Sequence, residues 1–154
     1  MALEYTLEVS TELEPAQTLQ LMFSSIGIET NIEQSDKHGV MVSTSGPGFT
    51  TYAFSSGDEQ RYLTEELGIT TNVTILFRLD KFANIEVAKT ALVRATIELL
   101  RQIQRDAVLL FNGEEVVLLQ KVGQLTLNKS REFWTPSYLA LVTLPYEMRD
   151  IPVL

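Results

Sequence analysis

The chain has 154 residues, a formal net charge of -8 and no cysteine. That length suits one domain with an apolar core, and the missing thiols exclude disulfides, thiolate zinc sites and cysteine nucleophiles. The acidic balance, with no cluster of Lys and Arg, argues against nucleic acid as a partner, because phosphate backbones call for a basic surface. The opening "MALEYTLEVS" carries Glu4 and Glu8 and has neither a basic start nor a continuous apolar run, so it does not read as a secretory signal. No apolar stretch is long enough to span a bilayer. Residues 1–154 are therefore expected to form a single cytoplasmic domain with no membrane contact, held together by packing.

Residues 3–9 place Leu3, Tyr5, Leu7 and Val9 on one side and Glu4, Thr6 and Glu8 on the other, the period of a half-buried strand. A short helix follows, with Pro15 at its start, Ala16, Leu19, Met22, Phe23 and Ile26 on one side, and Gly27 as its stop. Strands are expected over roughly 28–34 and 40–44 on either side of "SDKHG", and "SGPG" at 45–48 turns the chain into "FTTYAF". Tyr62, Leu63 and Leu67 suit a helical turn closed by Gly68, although residues 58–67 have no decisive pattern.

From Val73 to Leu79 the alternation sharpens into a strand that ends in "FRLDKF". Asn84 then has the character of an N-cap for a helix from about Ile85 to Arg105, with Ala88, Leu92, Ala95, Leu99 and Ile103 on one stripe. On its other side Glu98 stands where it can neutralise Arg94 and Arg101, so these residues and Arg105 read as a solvated face. "AVLLF", "NGEE" and "VVLLQK" make a hairpin around Asn112-Gly113, and "QLTLN" adds a strand. Thr135-Pro136 resembles a helix start and Pro145 a stop, which leaves residues 136–144 open between helix and strand. The fold class is α+β, an antiparallel sheet with two main helices packed on one face. The order strand, helix, hairpin occurs twice, which raises the prospect of two similar halves.

Few residues offer chemistry. His38, the single histidine, would need Asp36 or a distant carboxylate to act as a base or ligand, and the same residues before Gly39 make an ordinary exposed turn. "SGPGF" lacks the lysine and the strand-to-helix setting of a phosphate loop. Glu65-Glu66 and Glu114-Glu115 are sequence neighbours whose side chains diverge. With no glycine-flanked serine, acidic metal motif or dinucleotide fingerprint, neither a catalytic apparatus nor a cofactor is expected.

"FRLDKF", the helix after it, "AVLLFNGEEVVLLQ" and "REFW" at 131–134 together resemble the bacterial swarming-inhibition (Sit) family of toxin immunity proteins. The similarity runs from about Val73 to Trp134, is weaker around "MALEYTLEV" and is not seen in the middle of the chain. The resemblance implies a non-catalytic cytoplasmic protein that binds a cognate protein toxin. It matches Phe77, Arg78, Asp80, Lys81, Phe82, Asn112, Gly113 and Trp134 to the family's recurring residues, which would maintain the fold while variable segments choose the toxin. A chaperone-like module and a small-ligand binder or enzyme using Arg78, Asp80 and Lys81 are the alternatives, and homo-oligomers are compatible with all three. Alternation sets Arg78 and Asp80 on one side of their strand, where they are expected to pair, with Asp80 also accepting backbone N–H groups before Asn84.

Overall fold

The computed structural model describes residues 3–35, 41–57, 61–130 and 132–154. Residues 36–40, with Asp36 and His38 of the "SDKHG" segment, the first part of the 58–67 segment, and Arg131 lie outside the described residues. In chain order the elements are β1 (Leu3–Val9), α1 (Pro15–Ser24), β2 (Glu33–Ser35), β3 (Met41–Gly46), β4 (Phe49–Ser55), α2 (Arg61–Leu67), β5 (Val73–Leu79), α3 (Ile85–Gln102), β6 (Ala107–Phe111), β7 (Glu115–Lys121), β8 (Gln124–Asn128), α4 (Pro136–Leu139) and β9 (Tyr146–Arg149). One nine-stranded sheet orders them β2-β3-β4-β5-β1-β6-β7-β8-β9.

Alternation explains the centre of that sheet. β1 pairs antiparallel with β5 over its whole length, Leu7 opposite Ile75 and Tyr5 opposite Phe77, so both apolar sets emerge on the same face. β6 flanks β1 on the other side with Leu109 opposite Leu7. β5 and β6 thus run in the same direction with β1 between them, and α3 carries the crossover. The element order does recur, but the first meander works inward from β2 to β4, whereas the second works outward from β6 to β8. Each half's first strand is seated beside the other half's strands.

α1 and α3 cover one face, as the sequence predicts. Leu19, Met22 and Phe23 of α1 and Leu92, Ala95 and Leu99 of α3 are fully buried against Leu7, Val9, Ile75 and Phe77. Phe23, Phe49 and Phe77 form a chain of ring contacts at 5.9 and 5.6 Å. α1 begins at Pro15, where a missing N–H costs nothing, and the Gln17 side chain accepts from the Glu14 amide at 3.0 Å. Asn84 caps α3 by accepting from the amides of Glu86 and Val87.

Four features depart from the sequence reading. Of the strand expected over 28–34 only Glu33–Ser35 pairs, because Ile28 and Ile32 pack against the core as loop residues. α3 ends at Gln102, three residues before Arg105, and Ile103 already has extended backbone angles. α2 lies on the opposite face of the sheet from α1 and α3, where Leu63 joins Ile69, Val108, Leu110, Val116 and Leu119 in a second cluster. Residues 136–144 contain one turn of helix, and the chain then adds β9, whose pairing with β8 is parallel in an otherwise antiparallel sheet.

The helix faces make a direct prediction. Leu99→Ala removes a fully buried side chain and should lower stability by about 2–5 kcal/mol. Arg101 is exposed and pairs with the half-buried Glu98 one turn away on the same helix, so Arg101→Ala should leave the urea midpoint unchanged within error. Equal midpoints for the two variants would mean that the faces are assigned wrongly.

Candidate functional site

At the end of β5 the "FRLDKF" residues part company. Phe77 and Leu79 point into the core and are buried, while Arg78 faces outward. The Arg78 guanidinium donates to Glu4 Oε1 from Nη2 at 2.9 Å and from Nε at 3.2 Å. The expected Arg78–Asp80 pair is therefore replaced by a cross-strand pair. Glu4 is directly opposite Arg78 in the register, whereas the strand ends at Leu79 and turns Asp80 away.

Asp80 instead organises the turn. Its Oδ1 accepts from the Phe82 amide at 2.9 Å, its carbonyl accepts from Ala83 at 3.1 Å, and its own amide donates to the Gly48 carbonyl at 2.8 Å. Gly48 has φ +80°, and a Cβ there would press on Ala83 and Ala88 at 3.3 and 3.2 Å, so the β3–β4 turn must approach α3 through a glycine. These bonds hold out a side chain that the core does not use: Phe82 is 87% exposed, with the Lys81 ammonium 5.1 Å from its ring centre.

Beside this turn a groove of about 430 Å³ is lined by Ile26, Ile28, Pro47, Val87, Ala91 and Arg94. Val87 is 48% exposed. Phe82, Pro47 and Val87 thus belong to three neighbouring features, the β5–α3 turn, the β3–β4 turn and the first turn of α3. Large apolar groups grouped in this way at a surface are the usual material of a contact site.

The other sequence-predicted residues lie in an exposed hairpin turn or in the core. Asn112 and Gly113 take φ +51° and +79°, the left-handed pair of a tight hairpin turn, and the Asn112 amide donates to the Glu4 carbonyl. Trp134 is buried and its indole N–H donates to the Val117 carbonyl at 2.9 Å. Phe133 meets Trp134 edge-on and stacks on Tyr138, whose hydroxyl donates to Glu86 at 2.6 Å. This knot ties α4 to the start of α3. Burial, and then the bond to Glu86, hold the Tyr138 phenol well above its ordinary pKa.

The enzyme alternative required Arg78, Asp80 and Lys81 to converge in a deep cleft. They border a shallow, open depression with Thr50 and Phe82, each exposed and with Arg78 and Asp80 already engaged elsewhere. Among the described residues no group of three or more His, Cys, Asp or Glu side chains could hold a metal. Nor is any helix of the described residues long and apolar enough to cross a membrane. Among the described residues the most buried carboxylate is Glu8, which accepts from the hydroxyls of Thr74 at 2.7 Å and Ser56 at 3.1 Å, a polar anchor joining β1 to β5 and to the residue after β4.

The sequence profile of the SitI3-like family matches residues 3–138, from β1 through most of α4. This chain belongs to the SitI3-like family. The matched span includes the positions of all eight residues that the resemblance singled out, and it also crosses the middle of the chain, where the sequence reading saw no similarity. No curated protein and no solved structure matches the chain. The family name suggests an immunity-type protein.

The aromatic knot predicts a pH dependence. A phenol whose pKa is raised on folding stabilises the native state fully below the unfolded value of about 10, and that contribution is lost as pH rises through the higher folded value. Stability should therefore fall above about pH 10, and Tyr138→Phe should make the fall shallower while lowering neutral-pH stability by about 1 kcal/mol. Urea midpoints of both proteins at neutral and alkaline pH would reveal it; parallel declines would refute it.

Proposed function

We propose that this SitI3-like protein binds and neutralises a cognate protein toxin in the cytoplasm without catalysing a reaction, and that Phe82 is the centre of the contact. The observation that carries this reading is the exposure of Phe82 on a turn fixed by Asp80. Of the family-motif residues, Phe77, Asn112, Gly113 and Trp134 have evident work in core or turn, and Asp80 builds the turn; Phe82 presents a ring to solvent. A preorganised aromatic loses little conformational freedom on binding and supplies a large apolar area, which is the profile of an interface hot spot.

The neighbouring groove supports a division of labour. Phe82 would supply general anchoring, while Ile28, Pro47 and Val87 on three separate segments would tune the fit to one toxin. The net charge of -8 would speed encounter with a basic partner. Non-catalytic binding also suits the open, already engaged charges at the turn.

Co-purification with toxins encoded beside its gene, followed by a protection assay, tests the reading. With the toxin in hand, Phe82→Ala should weaken binding about 30-fold or more, equivalent to about 2 kcal/mol, without lowering the melting temperature. Folded protein that neither binds nor protects against such a toxin would reject the function. Wild-type affinity in Phe82→Ala would reject the site alone.

A further inference from the structure

β9 closes one end of the sheet, and among the described residues no strand lies beyond it. Its residues Tyr146, Glu147, Met148 and Arg149 are all exposed. The Arg149 carbonyl accepts from the Lys129 amide at 2.8 Å, and the Ile151 amide donates to Asn128 Oδ1 at 3.0 Å, so the backbone groups of odd-numbered residues turn inward to β8. In an extended strand successive residues send their N–H and C=O to opposite edges. Tyr146, Met148 and Asp150 therefore direct theirs outward.

We propose that this edge pairs with its own counterpart in a second copy of the chain, antiparallel about a two-fold axis at Met148. The argument rests on self-complementarity. With Met148 opposite the partner's Met148, the two residues exchange both backbone hydrogen bonds through their outward groups, and Tyr146 lies opposite the partner's Asp150. Glu147 then falls opposite the partner's Arg149, and Arg149 opposite the partner's Glu147, at the non-hydrogen-bonded positions where side chains approach most closely. Within one chain these two charges are only loosely joined, at 4.0 Å, and both are more than half exposed.

The faces agree as well. Register with Leu125 and Leu127 puts Tyr146 and Met148 on the helix side of the sheet, where they are 40% and 38% exposed. Pairing would bring two tyrosines and two methionines together there and leave the charge pairs on the other side. Pro152, at the next outward position, has no N–H to offer, which ends the ladder after Asp150. So short an interface suits a weak, reversible dimer. β9 is five strand spacings from β5, about 24 Å, so the dimer would leave the Phe82 surface of each copy free and does not depend on the toxin reading.

Sedimentation equilibrium on the full chain over a concentration series up to its solubility limit tests the proposal, with circular dichroism melts as a control for folding. Wild type should dimerise weakly, and the Met148 and Asp150 amides should exchange more slowly with deuterium as concentration rises. Arg149→Glu sets like charges opposite each other twice and should raise the dissociation constant about tenfold or more. Glu147→Arg combined with Arg149→Glu rebuilds the same pairs in reverse and should return association to within about threefold of wild type. A chain that stays monomeric throughout, a single reversal without effect, or a double reversal that fails to restore association would each overturn it.

Discussion

Everything in this fold depends on the central antiparallel pair of β1 and β5. Neither half of the chain owns a continuous sheet: β4 finds its next neighbour in β5 from the second half, and β6 finds its neighbour in β1 from the first. Removing either strand would open the sheet in the middle and expose both edges. The apolar sides of the pair, Leu7 and Val9 beside Ile75 and Phe77, are also the floor on which α1 and α3 rest. The interlock therefore couples sheet pairing to helix packing, and the two must form together.

Away from the centre, amide side chains do the joining. Gln120 donates to the carbonyls of Ile103 and Arg105, satisfying acceptors that the end of α3 leaves open. Asn128 donates to Val116 and Ile151 and accepts from the amides of Ser130 and Ile151, so one buried side chain holds β7, the end of β8 and the segment after β9. Stripping either residue of its partners would leave buried polar groups unsatisfied, a larger cost than the modest net gain of each bond. These anchors keep both ends of the molecule in register with its core.

Phe82 owes its place to this rigidity. Phe77 and Leu79 fasten the end of β5 in the core, the Asp80 amide fastens the turn to Gly48, and the Asn84 cap begins α3 immediately after it. An aromatic ring exposed on a mobile loop would lose its advantage to the entropy of ordering. Here the ordering is already done by folding. The toxin-binding proposal and the proposed β9 dimer occupy different regions of the surface, one set by a turn and the other by a sheet edge.

Much of this was legible in the chain itself, because β1, β5, α3 and the Asn112-Gly113 hairpin carry their periodicity and turn residues locally. The role of Asp80 as a turn acceptor was readable for the same reason, its partner being two residues away. Tertiary structure decided what has no local signature. Arg78 takes Glu4, 74 residues distant, over Asp80, because strand register sets the two side by side. α2 goes to the opposite face because Val108, Leu110 and Val116 offer it an apolar bed there. β9 has four exposed residues and no alternating burial, and it becomes a strand only because the free edge of β8 supplies hydrogen-bond partners. Periodicity records which side of an element meets the core, whereas neighbours across a sheet and unburied edges are set by pairing between segments far apart in sequence.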